Sequence, residues 1–92
     1  MIKVTDQEIF DKVAECLQNG GIAFGIPSED WVELIIDWFV EITDVNGKEY
    51  IFTFYNAPSW TVIPSRIRES MVRYVRQILD DSSDEVIEGW MN

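Results

Sequence analysis

Residues 29–54, EDWVELIIDWFVEITDVNGKEYIFTF, carry two conflicting signals, and the choice between them decides the fold. From Val32 to Ile42 every even position is apolar (Val32, Leu34, Ile36, Trp38, Val40, Ile42), which is the alternation of a half-buried strand. In the same stretch Glu33, Asp37 and Glu41 fall four apart, as do Trp31, Ile35 and Phe39, which suits a helix. Asn46-Gly47 then gives the strongest short hairpin signal and is followed by the β-rich GKEYIFTFY. The favoured reading is a helical turn or two near 29–36 and then a strand; one long strand over 29–44 is the other. A two-residue Asn-Gly loop pairs Val45 with Lys48 and Asp44 with Glu49, and sets Ile42 opposite Ile51 and Val40 opposite Thr53. Phe39, Glu41 and Thr43 then share the other face with Tyr50, Phe52 and Phe54. Both faces of such a hairpin are largely apolar. One covers the helices, and the other needs more core or a second subunit, which points to a homodimer.

Outward from this stretch the signals are clearer. Thr5-Asp6-Gln7-Glu8 fits a capping box, and Ile9, Phe10, Val13, Ala14 and Leu17 follow at helical spacing until Asn19-Gly20-Gly21. Glu8, Asp11 and Glu15 fall on the other face of that helix. Residues 22–27 (IAFGIP) read as a connector or edge strand, and Ser28-Glu29-Asp30 as a helix start. Asn56-Ala57-Pro58-Ser59 reads as a turn, and Trp60 to Ile63 as a third short strand ended by Pro64. Ser65 is expected to cap a helix with Ile67, Met71, Tyr74, Val75, Ile78 and Leu79 on one side and Arg66, Arg73 and Arg76 mostly elsewhere. Ser82-Ser83-Asp84-Glu85 fits a second capping box, opening a terminal helix with Val86, Ile87, Trp90 and Met91. The expectation is a single α+β domain over residues 1–92: a small antiparallel sheet, hairpin plus third strand, packed with three to four helices.

Composition bounds the function. The 92 residues include 17 acids, 7 bases and no histidine, for a net charge of −10. At 47% hydrophobic and 13% aromatic residues, this is a small globular domain and not a disordered acidic tail. Without histidine there is no imidazole base, triad or metal ligand. The lone Cys16 forms no internal disulfide, which suits a reducing compartment. No apolar run approaches 18 residues and MIKVTDQE is no signal peptide, so a cytoplasmic protein without a membrane segment is expected. Residues 1–47 carry a net −8, residues 48–79 a net +3 and residues 80–92 a net −5, so two acidic ends flank a mildly basic middle. Such a chain repels nucleic acid and anionic lipid and attracts basic surfaces.

Carboxylates are the only abundant reactive groups. Asp80, Asp81, Asp84, Glu85 and Glu88 are dense enough to weigh as calcium ligands, but they lack the spaced EF-hand pattern, and acids in a helix's first turn explain Asp84 and Glu85 without a metal. Asp44 with Lys48 reads as turn residues before it reads as a nuclease pair. Cys16 lies among apolar helix positions with no base to activate it, and Gly20-Gly21 and Gly25 match no phosphate-binding loop. Neither catalytic residue, cofactor nor metal is expected. Of Trp31, Trp38, Trp60 and Trp90, most belong to the core by default and one or two to a dimer contact. The plain reading of the acidic surface is solubility. The sharper one is that it stands in for DNA phosphates: at one charge per roughly 1.7 Å of duplex, ten charges match about 17 Å and a dimer about 34 Å, close to one helical turn.

The capped acidic first helix, the segment IAFGIPSEDWVELIIDWFVEITDVNGKEY and the acidic end DDSSDEVIEGWMN resemble the anti-restriction nuclease (Arn) family of T-even bacteriophages over nearly the whole length. No short diagnostic motif carries the likeness. The resemblance implies a dimeric α/β DNA mimic that inhibits the host McrBC restriction endonuclease, with nucleoid-associated proteins as further targets. It implies a mimicking surface made of Asp6, Glu8, Asp11, Glu15, Glu29, Asp30, Glu33, Asp37, Glu41, Asp80, Asp81, Asp84, Glu85 and Glu88. Arg66, Arg68, Arg73 and Arg76 depart from an all-acidic mimic unless acids of the same or the second subunit pair with them. The alternatives are an inhibitor that does not copy DNA shape, a small acidic adaptor or immunity-type protein for a basic partner, and, more remotely, a carboxylate enzyme.

Overall fold

The protein is described over residues 2–43, 45–56 and 62–92 from a computed structural model. Helix α1 (Asp6–Asn19) starts as its capping box dictates. The Thr5 hydroxyl accepts from the Glu8 amide and donates to the Glu8 carboxylate, each at 3.1 Å. Its apolar stripe buries Ile9, Phe10, Val13, Cys16 and Leu17, and Gly20, at φ 77°, ends it. Residues 22–27 form the sheet, a two-stranded antiparallel hairpin of β1 (Ile22–Ala23) and β2 (Ile26–Pro27), with Ile22 opposite Pro27 and Ala23 opposite Ile26. Phe24 and Gly25 turn the chain with φ of 52° and 79°. An aromatic residue accepts that left-handed conformation because its ring is buried and meets Trp90 edge to face at 5.9 Å.

The deciding stretch resolves against the strand reading. Ser28–Glu41 is one continuous helix, α2, and Gly47–Asn56 is a second, α3, so the hairpin expected about Asn46-Gly47 does not form. As a strand, Trp31, Ile35 and Phe39 would share a face with Glu33, Asp37 and Glu41. As a helix, the two sets point to opposite sides. The outcome follows that separation: Trp31, Ile35 and Phe39 are wholly buried, and the three acids are exposed. Gly47 serves close packing rather than a turn. A Cβ there would stand 2.5 Å from the Phe39 Cβ, so only glycine lets α3 start against α2. Ile51 and Phe54 then fill the core from α3, and Tyr50 stacks on Phe39 with ring centroids 5.7 Å apart.

The third strand expected over Trp60–Ile63 falls partly on Trp60 and Thr61, which lie outside the described residues, as do Asp44 and positions 57–59 of the expected turn. Val62 and Ile63 are in no strand. Helix α4 (Ser65–Asp80) is capped by Pro64 without a side-chain hydrogen bond, so Ser65 is its first residue and not its cap. Helix α5 (Asp84–Met91) is capped by Ser83, whose hydroxyl accepts from the Val86 amide, one residue later than the expected box. Among the described residues there are thus five helices and one short hairpin, against the expected three to four helices and three-stranded sheet. The architecture is α+β only loosely.

Helix α2 is central, packing on α1, α3 and α4. Its Trp31 indole donates to the Ala23 carbonyl at 3.0 Å in the interior, tying the hairpin to the helices. Tyr74 of α4 lies against both Trp31 and Trp38, with centroids 6.0 and 5.9 Å away. Ile67, Met71 and Val75 complete the α4 side of the core, and Ile87 brings in α5. The radius of gyration, 12.9 Å, is close to the roughly 12 Å expected for this length.

Candidate functional site

The fourteen named carboxylates lie on three helices and the α4 end: Asp6, Glu8, Asp11 and Glu15 on α1, five from Glu29 to Glu41 on α2, Asp80 and Asp81 ending α4, and Asp84, Glu85 and Glu88 on α5. Thirteen are exposed, and Glu8, held in its cap, is half-buried. Some of them serve the fold. Asp6, Glu8, Glu29, Asp30, Asp84 and Glu85 stand in first turns, where the helix dipole favours negative charge. Three more are placed in reverse. Glu41 ends α2 and Asp80 with Asp81 ends α4, with no base in either last turn. Glu33, Asp37 and Glu41 repeat every four residues on the outward side of α2, where each like-charged pair costs about 0.2–0.5 kcal/mol. Among the described residues these three have no ion-pair partner. At 1.5 Å per residue the ridge runs about 12 Å with a charge every 6 Å or so, sparser than one DNA strand at 3.4 Å per phosphate. Helix α1 presents a second ridge, Glu8, Asp11 and Glu15, opposite its buried stripe; Asp11 accepts from the Gln7 amide at 2.9 Å.

The four arginines divide. Arg76 is engaged within the chain, 2.7 Å from Asp6 and bonded to the Val4 carbonyl, so Asp6 is a neutralised acid rather than a free one. The Arg68 guanidinium lies 4.7 Å above the Phe10 ring. Arg66 and Arg73 are exposed and, among the described residues, unpaired. Arg68, Arg73, Asp6 and Glu69 line an open groove of about 390 Å³ with Phe10 and Val72, a mixed-charge surface rather than an acidic one. This arginine face counts against a purely acidic mimic made of one chain.

The remaining groups offer little chemistry. Cys16 is buried, its thiol 3.5 Å from the Gly21 carbonyl, and burial, helped by the Glu29 carboxylate, pushes its pKa up, the reverse of an activated thiol. Tyr55 is pushed up as well, by burial first and then by Cys16 and Glu29. Among the described residues no three acidic or cysteine side chains gather as a metal site, and Asp80, Asp81, Asp84, Glu85 and Glu88 are no exception. No described helix is long and apolar enough to cross a membrane.

The sequence reading missed a set of exposed apolar side chains, Val40, Val45 and Phe52, because it paired them across strands. Laying 47–56 on a helix would have revealed Phe52: it falls away from Gly47, Ile51 and Phe54. Comparison with protein-family models, curated proteins and solved structures finds no match to this chain.

Proposed function

We propose that the protein is a non-enzymatic inhibitor that presents its carboxylates in place of DNA phosphates to a DNA-binding host protein, a McrBC-type restriction endonuclease first and nucleoid-associated proteins second. It acts in the host cytoplasm as a homodimer. The observation that carries this reading is the α2 ridge: Glu33, Asp37 and Glu41 are exposed, unpaired among the described residues, and of no benefit to their own helix. Charge density favours the dimer. Ten net charges along a 39 Å molecule is one per about 4 Å, close to a single DNA strand, so a duplex-like density needs two copies.

The test is competition. The protein is expected to displace duplex DNA from the endonuclease, with affinity falling steeply as salt rises. Reversing Glu33, Asp37 and Glu41 to lysine is expected to abolish inhibition in a folded protein, and retained inhibition would remove this face from the mechanism. The second reading, an acidic adaptor or immunity-type protein for a basic partner, draws on the exposed Arg66 and Arg73, which a phosphate mimic does not need. An adaptor keeps its affinity when excess duplex DNA is added.

A further inference from the structure

Helix α4 carries charge against its own dipole at both ends. Arg66 and Arg68 stand in its first turn and Asp80 and Asp81 at its end, with no acid in the first turn and no base in the last. At 100° per residue, Arg66, Glu69, Arg73, Gln77 and Asp80 fall within an arc of about 80° on the outward side, and all five are exposed. Arg66, Arg73 and Asp80 have no ion-pair partner among the described residues. Grooves on either side join this stripe into one surface, and Arg73 lines both. One is the α1–α4 groove of about 390 Å³, which it shares with Glu69 and Val72. The other, of about 170 Å³, lies toward α2 and is shared with Gln77, Trp38 and Tyr74. Val72, Trp38 and Tyr74 are half-buried, so apolar area borders the charged stripe on both sides. Among the described helices α4 alone is net positive, with four arginines against Glu69 and Asp80, whereas α1, α2 and α5 are net −3, −5 and −3.

We propose that this stripe is the contact between two copies of the chain, with their α4 helices antiparallel across a two-fold axis near Arg73. It supplies the interface of the homodimer in the function proposed above, and rests on that part of it. Charge selects both the occupant and the direction. Two chains of −10 repel each other least where each offers its net-positive helix. In the antiparallel register centred on position 73, Arg66 of each copy faces Asp80 of the other, so one contact is made twice. Each α4 N-terminus then lies against the other copy's C-terminus, and the misplaced charges compensate one another. A parallel arrangement sets arginine against arginine and aspartate against aspartate. At the axis the two Arg73 side chains meet, each about one turn from Glu69 of the other copy. The charges fix the register, and the bordering Val72, Trp38 and Tyr74 supply apolar area. From Arg66 to Asp80 the contact spans about 21 Å on one helix face, which places it among weak, reversible interfaces. It also draws into the contact the arginines that an all-acidic surface does not need.

The test is self-association of the full chain, read by sedimentation over a range of concentrations. The parent is expected to dimerise. Arg66→Glu and Asp80→Arg are each expected to weaken dimerisation roughly tenfold or more, because each sets like charges together twice. Both sites are exposed and each change places the sign that its helix end favours, so far-ultraviolet circular dichroism should match the parent. Mixing the two variants, or combining both changes in one chain, is expected to restore the dimer, because opposite charges then face each other again. A merely destabilised fold is not rescued in this way. A parent that stays monomeric, a dimer indifferent to both single changes, or single variants that the combination does not rescue each overturn the interface. Competition with duplex DNA, measured on the same proteins, separates the two readings. Rescued dimers that fail to displace DNA from the endonuclease overturn the proposed function and leave the interface standing. A monomeric parent that displaces it overturns the interface and leaves the acidic-surface reading standing.

Discussion

Gly47 has no room for a side chain, since an added Cβ would also lie 2.8 Å from the Phe39 Cγ, and both partners belong to helices that cannot part without opening the core. Gly47→Ala is therefore expected to destabilise by about 1–3 kcal/mol although alanine is the better helix former, and a thermal or urea melt reads the loss directly. This residue also shows where sequence reading stopped. Asn-Gly is a strong local turn signal, and nothing local distinguishes a glycine chosen for φ from one chosen for its missing Cβ. Cys16 makes a prediction of a different kind. Its pKa is raised in the fold, so below the ordinary thiol value of 9.0 both states keep the proton and stability is full. Above that value the unfolded chain releases its proton first, and stability falls as pH rises. Tyr55, raised from 10.0, adds to the same fall at higher pH. Melts on either side of pH 9.0 should show an alkaline loss that Cys16→Ala reduces.

Helix α2 decides the fold at the level of elements. Its sequence satisfies strand alternation and helical spacing together, and β-propensity with a hairpin signal argued for the strand. What settles it is the offset of two residues between the apolar set and the acidic set. A strand would bury Glu33 and Asp37 with Trp31, Ile35 and Phe39, and unpaired buried carboxylates cost far more than any difference in propensity. The capped ends of α1 were legible because caps are local chemistry, the start of α2 was legible from its first-turn acids although Pro27 and not Ser28 takes the cap position, and the Arg-bearing α4 was legible from its apolar spacing. The hairpin at residues 22–27 was only half legible, because its turn places Phe24 in a conformation that tertiary packing alone sustains. The bond from the Trp31 indole to the Ala23 carbonyl joins that hairpin to α2. Trp31→Phe is expected to cost about 1–3 kcal/mol, because it strands the buried carbonyl and removes part of a packed ring. A melt that matches the parent would show that the hairpin is held by other contacts.

Across the molecule, self-repulsion between like charges opposes the ion pair of Arg76 with Asp6. With a net −10 on a 10.7 kDa body, the folded state carries an electrostatic load that added salt relieves. The melting temperature is expected to rise by a few degrees from low to moderate salt, the shift that about 1 kcal/mol gives at this size, and a constant or falling value in calorimetry would contradict it. The acidity itself was fully legible in the composition. Its arrangement was not, since which carboxylates form ridges depends on helix faces that the strand reading assigned differently. The same packing leaves the molecule with a built-in optical reporter. Tyr74 lies between Trp31 and Trp38, so three chromophores meet where α2 crosses α4. Their coupling should give the near-ultraviolet circular dichroism a signature specific to that junction, while the far-ultraviolet signal follows the helices. Recording both during unfolding distinguishes a core that loosens before its helices unwind from one that fails in a single step.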